Sequence, residues 1–329
     1  MEELTLKGKC IYTPGGAARE YAAVGCNFYR GCPFQCKYCF NRKGMTSKVM
    51  GVDHAVLDDC FTKEKNRPKK YRDLTAKEYA LVVFKRELDN HLDYFRKTGI
   101  FFSFSTDPLC QATYRLTLDA THYALDNRVP VKILTKSDMI GYLSFANAWV
   151  STYPDDEKNK EIIDQRDCFP QEQRHLLAFG FTLTGCDDWE PYAQTNVCRI
   201  KDMRKLHEMG FKTFASIEPV IDPLSSLSMI YATLNWCDMY MIGLMSHPPK
   251  GLYDPGSGFS FKFSMFFREV YALQQKYNLK IYWKDSISKN KDFEGLWQFC
   301  YGNATESVVL PVGMDYDLFY NDITKEKRL

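Results

Sequence analysis

Six apolar runs, most of them followed by a segment of helical periodicity, constrain this 329-residue chain more than any other feature. The runs cover residues 21–25, 100–105, 129–134, 177–184, 214–220 and 239–244, and 280–283 offers an extra one. Between them, apolar residues recur at three- and four-residue intervals. Leu81, Phe84, Leu88, Leu92 and Phe95 do so behind Thr75-Ala76-Lys77-Glu78, which has the form of a capping box, and Gly99 follows as a stop. Residues 113–127, 138–149, 224–235 and 262–277 read as further helices. Ile200, Met203, Leu206 and Met209 mark one helix face closed by Gly210. Strands alternating with helices predict parallel βαβ units. Their crossovers are right-handed, so the units curl one way into a full or partial barrel. Working residues of such barrels sit at the C-terminal ends of the strands. Here those ends are polar: a cysteine-rich loop after residue 25, Thr106-Asp107, Thr135-Lys136-Ser137, Thr182 and Thr184, Glu218, and Lys284-Asp285. Strand ends are also polar where they simply meet water, but a cysteine loop at one of them marks that rim as the place for a site.

Around this frame, residues 1–20 with Pro14-Gly15-Gly16 read as an irregular leader. Residues 21–290 make the α/β barrel, and 291–329 a C-terminal extension. Residues 43–74 are polar and carry a basic cluster: Lys63, Lys65, Arg67, Lys69, Lys70 and Arg72. It reads as a solvated loop or as a patch that contacts phosphates. Residues 151–174 look like an inserted surface loop or short helix. With 43 basic against 41 acidic side chains, the net charge of +2 neither demands nor excludes a nucleic-acid partner. No basic-then-apolar signal segment opens the chain, and no run of about 18 apolar residues predicts a membrane span. The 12 cysteines are irregularly spaced apart from one motif, so a reducing cytoplasm is expected rather than a disulfide framework.

That motif is Cys32-x3-Cys36-x2-Cys39. A loop of this spacing can turn three thiolates to one point. Soft sulfur ligands favour iron–sulfur, zinc or copper(I) there. Three thiolates on a four-iron cube leave one iron open to bind a small molecule. For zinc, Cys26 would be the nearest fourth ligand, but no distant second pair of cysteines follows as most structural zinc sites require. Cys186, Cys198, Cys237 and Cys300 are too scattered to define a second cluster.

The motif, with aromatic Tyr38 just before its last cysteine, resembles the radical S-adenosylmethionine (radical SAM) superfamily. More closely, the chain resembles the branch of spore photoproduct lyase and DNA repair photolyase-like proteins. Tyr29-Arg30-Gly31-Cys32, Ser105-Thr106-Asp107-Pro108, Ile133-Leu134-Thr135-Lys136-Ser137, Glu190-Pro191 with Arg199, and Ile217-Glu218-Pro219-Val220 carry that likeness in the right order over about residues 21–245. The resemblance implies a partial (β/α)6 barrel and a [4Fe–4S] cluster on Cys32, Cys36 and Cys39. It also implies SAM on the open iron, cleaved by one electron to give a 5′-deoxyadenosyl radical. An electron donor such as flavodoxin or ferredoxin follows, and a DNA lesion or other nucleic acid is the substrate class the branch suggests. A peptide or small-molecule substrate, or a non-catalytic iron–sulfur or zinc module, stands as the alternative.

Carried residue by residue, the resemblance puts Tyr38 against adenine, with Phe40 shielding the cluster. Thr106 and Asp107 stand at the SAM amino group, Lys136 at the SAM carboxylate or a substrate anion, and Thr182 and Thr184 near the ribose or carboxylate. Glu218 falls at the ribose hydroxyls or the substrate. Spore photoproduct lyase has a hydrogen-donating cysteine where Phe104 stands here, and Cys110, three residues past Asp107, is the candidate to substitute for it.

Overall fold

The computed structural model describes residues 4–44, 47–138 and 169–301. The helix expected over 138–149, nearly all of the polar insertion, and residues 302–329 lie outside the described residues. Each of the apolar runs yields a strand. In chain order the strands are β1 (Ile11–Tyr12), β2 (Gly25–Cys26), β3 (Tyr29–Arg30), β4 (Val56–Leu57), β5 (Ile100–Phe102), β6 (Val131–Thr135), β7 (Leu177–Thr182), β8 (Lys212–Ile217), β9 (Met239–Ile242) and β10 (Ile281–Trp283). One sheet runs β1-β2-β5-β6-β7-β8-β9-β10, and β3 pairs with β4 in a small separate ribbon. From β2 to β10 all neighbours in that sheet are parallel, while β1 is antiparallel to β2.

The connections are the helices the periodicity predicts. Ala76–Asp89 opens on the expected capping box: Thr75 Oγ1 accepts from the Glu78 backbone at 3.3 Å, and Glu78 Oε2 accepts from the Thr75 backbone at 2.7 Å. The single helix expected up to Gly99 divides at Asn90-His91, two weak helix formers, and resumes as Leu92–Thr98. Tyr114–Asp126, Asn196–Glu208, Pro223–Thr233 and Phe259–Tyr277 follow β5, β7, β8 and β9. The leader is more ordered than its composition predicts. β1 joins the sheet edge, and the Glu87 carboxylate accepts from the backbone of Lys9 at 2.7 Å and of Ile11 at 2.9 Å. A two-residue strand is too short to leave an alternation signal.

Both faces of the sheet are covered, which is why its strands read as continuous apolar runs. Phe102, Ile133, Phe179, Ile217, Ile242 and Trp283 belong to the core shared with the helices. The alternate positions Phe101, Ala178, Phe214, Met239, Met241 and Tyr282 form a second apolar layer with Tyr21 and Ala22. Lys132 shares that inner face, in register with Phe101 and Ala178, and is fully buried. Its Nζ donates to the Tyr21 carbonyl at 3.4 Å, and burial pushes its pKa down to about 7. Gly180 gives the Phe214 ring its place, since a Cβ there would lie 2.1 Å from the ring. Gly180→Ala is therefore expected to cost about 1–3 kcal/mol by overpacking. Urea denaturation measures this, and an unchanged midpoint would show that the ring moves freely. Among the described residues no helix is long and apolar enough to cross a membrane.

Candidate functional site

The polar strand ends meet around one cavity of about 400 Å³. Cys32, Cys36, Tyr38 and Cys39 line it from the loop after β3. Thr106 and Asp107 line it from the end of β5, Lys136 from β6, Thr182 from β7 and Glu218 from β8. The cysteine loop is shaped by its glycine. Gly31 has φ +75° and a Cβ there would lie 2.1 Å from Val52 Cγ2, while Cys32 donates its backbone N–H to the Val52 carbonyl at 3.0 Å. Asn41 closes the far end of the loop, donating Nδ2 to the Phe104 carbonyl at 2.8 Å.

Three soft sulfur donors on one loop suit an iron–sulfur cluster or another thiophilic metal. All described cysteines are free thiols. Burial, then Asp107, pushes the Cys32 thiol up to about 12, and burial raises Cys36 as well, with Lys136 opposing both. Among the described residues, no group of three or more His, Cys, Asp or Glu closes on one point, the three loop cysteines included. Cys26 is not available as a fourth ligand: it sits on β2 beside Cys10, fully buried in the core. Nor do Cys186, Cys198, Cys237 and Cys300 assemble.

Two expected site residues lie elsewhere. Thr184 is fully buried beyond the end of β7, and its Oγ1 accepts from the Cys186 backbone at 3.2 Å as the chain turns at Gly185. Cys110 is packed behind the cysteine loop with Phe34 and Cys36, and lies 3.4 Å from Thr113 Oγ1. It does not face the cavity. Phe104 does, stacked on Phe101 at 4.5 Å.

Asp107 lines the wall, but its carboxylate is engaged within the fold. Oδ1 accepts from Thr135 Oγ1 at 2.7 Å and from the Leu109 backbone at 3.0 Å, while Oδ2 accepts from the Lys136 backbone at 2.8 Å. Burial raises its carboxyl, and the Thr135 and Lys136 hydrogen bonds oppose that rise. Asp107 thus fastens the end of β5 to the end of β6. Asp107→Ala strands three donors and is expected to cost about 3 kcal/mol or more. A urea-melt loss below about 1 kcal/mol would exclude this fastening role. Beside it, Thr106 lines the same cavity, and its Oγ1 is a buried polar atom with no protein partner. Lys136 Nζ lies 5.6 Å from the centre of the Tyr38 ring.

Of the basic cluster only Arg67 is partly buried; the other five side chains are exposed. Lys63 pairs with Asp59, Arg67 donates to the carbonyls of Leu74 and Phe61, and Lys70 covers the Tyr71 ring at 4.8 Å. Lys65, Lys69 and Arg72 are exposed.

Composition and motifs did not single out Glu20, Tyr21 and Ser216. Glu218 accepts from Lys284 Nζ at 2.9 and 2.7 Å and from the Tyr21 hydroxyl at 2.5 Å. Tyr21 also meets Ser216 Oγ at 2.6 Å, and Glu20 lies 3.4 Å from Lys284. Gly243 leaves room for this bridge across β9, since a Cβ there would come within 3.0 Å of Glu218 Oε1. The polar end of β10 was legible; a partner in the leader was not, because 265 residues separate Glu20 from Asp285, whose backbone it accepts at 2.7 Å.

A mostly parallel sheet flanked by helices, with a cysteine loop at the C-terminal strand ends, defines an α/β class of fold. Among solved structures, spore photoproduct lyase complexed with dinucleoside spore photoproduct matches at TM-score 0.50 and 10% identity, over 83% of this chain and 80% of that one. The likeness is one of fold. A doubly substituted mutant of spore photoproduct lyase with bound AdoMet and dinucleoside spore photoproduct matches at TM-score 0.44 and 10% identity, over 94% and 73%. Streptococcus suis SuiB bound to S-adenosylmethionine matches at TM-score 0.41 and 11% identity, over 78% of this chain and 48% of that one. No family model and no curated protein matches the sequence.

Proposed function

We propose that this chain is a radical SAM enzyme. The observation that carries the reading is that Cys32, Cys36 and Cys39 line the same cavity as the polar ends of parallel strands. Held there by Cys32, Cys36 and Cys39, a [4Fe–4S] cluster would supply the electron for reductive cleavage of SAM to methionine and a 5′-deoxyadenosyl radical. The three thiolates hold the cluster. Thr106 Oγ1, with no protein partner, accepts from the SAM ammonium in place of the engaged Asp107 carboxylate. Lys136 and Thr182 face the SAM carboxylate or ribose, and Glu218, oriented by Lys284 and Tyr21, meets ribose hydroxyls or the substrate. Phe34, Phe40, Phe104 and Met245 keep water from the reacting end. Contacts from Tyr21 to Ser216 and Glu218, across the sheet, support a curl into a partial (β/α)6 barrel, with β10 as an added strand.

For the substrate, a nucleic-acid lesion follows from the likeness to spore photoproduct lyase. Repair of the spore photoproduct itself is not part of the reading, because Phe104 replaces the thiol and Cys110 is sealed away. A low-potential carrier such as flavodoxin or ferredoxin supplies the electron, and free thiols throughout the described residues favour a reducing cytoplasm. Anaerobic reconstitution followed by electron paramagnetic resonance of the reduced protein tests the proposal. A cluster signal that shifts on adding SAM, together with 5′-deoxyadenosine formed under dithionite, supports it. A cluster indifferent to SAM, or colourless protein, removes it.

A further inference from the structure

Behind the cysteine loop lies a second polar assembly that the cofactor reading does not use. The segment from Asp187 to Gln194 straps the loop on its buried side. Its Trp189 carbonyl accepts from the Lys37 backbone at 2.9 Å, and its Gln194 backbone donates to the Lys136 carbonyl at 3.0 Å. Between these, the Tyr38 hydroxyl donates to the Glu190 carboxylate, and Arg199 donates to the other oxygen of the same carboxylate. Glu190 and Arg199 side chains are both 0% exposed. Arg199 also donates to the Thr182 carbonyl and lies 3.8 Å from Asp187. A fully buried pair of this kind adds little net stability against an apolar replacement. Its place is more informative: it ends on Tyr38, which stands between Cys36 and Cys39.

We propose that Glu190 is a positioning residue for the metal loop: its carboxylate holds the Tyr38 phenol and with it the 36–39 half of the loop, and its charge sets the reduction potential of a cluster bound there. The inference rests on the radical SAM reading only for its second half. Arg199, itself anchored on the Thr182 carbonyl, holds the second carboxylate oxygen, so Glu190 is tethered when Tyr38 pulls outward. Arg199 offsets the Glu190 charge in the wild type, so neutralising the carboxylate leaves a buried cation near Cys36 that favours adding an electron, because little water screens it.

The test uses the full chain in two arms. Without iron, iodoacetamide alkylation of Cys36 and Cys39 is followed by mass spectrometry. Tyr38→Phe leaves the Glu190–Arg199 pair intact and removes only the phenol hydrogen bond. It is expected to speed alkylation about tenfold, the scale of losing one hydrogen bond to a charged group. With the reconstituted cluster, Tyr38→Phe speeds iron release to a chelator and leaves the midpoint potential close to wild type. Glu190→Gln shifts the midpoint to more positive values, and Glu190→Asp, which keeps the charge, restores it. A side chain that merely packs would leave the midpoint unmoved in all three. Wild-type alkylation in Tyr38→Phe overturns the positioning role, even if Glu190→Gln fails to fold. A folded Glu190→Gln with an unchanged midpoint overturns the electrostatic one. If wild type takes up no cluster, the radical SAM reading and the electrostatic half fall together, while the alkylation arm still decides the brace.

Discussion

In Cys36→Ala, reconstituted iron is expected to fall from about four atoms per chain to near zero, and formation of 5′-deoxyadenosine from SAM to background. Cys32→Ala and Cys39→Ala should behave alike, because a cube held by three thiolates in one short loop has no substitute ligand nearby. Among the described residues, the cysteine packed against the set is Cys110, and it is sealed behind Phe34 at the back of the loop. Cys110→Ala and Cys26→Ala are therefore expected to keep full iron. That contrast separates a specific site from loose iron adsorbed on any of 12 cysteines. Retention of iron in Cys36→Ala would overturn the assignment, and loss in Cys26→Ala as well as Cys36→Ala would point back to a four-cysteine ion site. Iron and sulfide analysis after gel filtration decides between them.

Lys284→Met is expected to destabilise the fold by about 3–5 kcal/mol, the usual cost of breaking a buried ion pair from one side. Lys284 is 2% exposed and is held by Glu218 at 2.7 Å and Glu20 at 3.4 Å. Without the ammonium, two carboxylates face each other in a wall with little water. The pH dependence follows from Glu20. Burial raises its carboxyl above the ordinary value, and Lys284 is the largest influence holding it down. A folded-state pKa above the unfolded one means that the folded chain binds the proton more tightly, so this group weakens the fold at higher pH and is relieved as pH falls through its folded value. Removing Lys284 moves that value further up. The deficit of Lys284→Met should thus be largest near neutrality and shrink on acidification toward the ordinary carboxylate range near about 4. Lys284→Met combined with Glu218→Gln should recover most of the loss, since one carboxylate then no longer needs a counter-charge. Urea melts at several pH values measure both. A deficit that does not vary with pH would mean that packing of the lysine stem, not its charge, holds the leader against β10.

The sequence by itself determined the order of the main parallel strands and the described helices between them, the capping box at Thr75, and the spacing of the cysteine loop. Those are local signals: apolar runs at regular intervals, a cap three residues from its partner, and thiols within eight positions. It also located the polar strand ends, because parallel strands must place their C-terminal ends on one side. Tertiary structure alone decided which of those polar groups face the cavity. Asp107 and Thr106 are adjacent in sequence, yet one carboxylate is consumed by β6 while the neighbouring hydroxyl has no protein partner. Thr182 and Thr184 share a run, yet only the first lines the cavity, because the second lies past the strand where the chain turns away. Glu20 and Lys284 meet only because the leader packs against the last strand of the sheet. Hydrogen-bond partners are chosen by distance in space, and a one-dimensional pattern carries no record of that distance between residues so far apart in the chain.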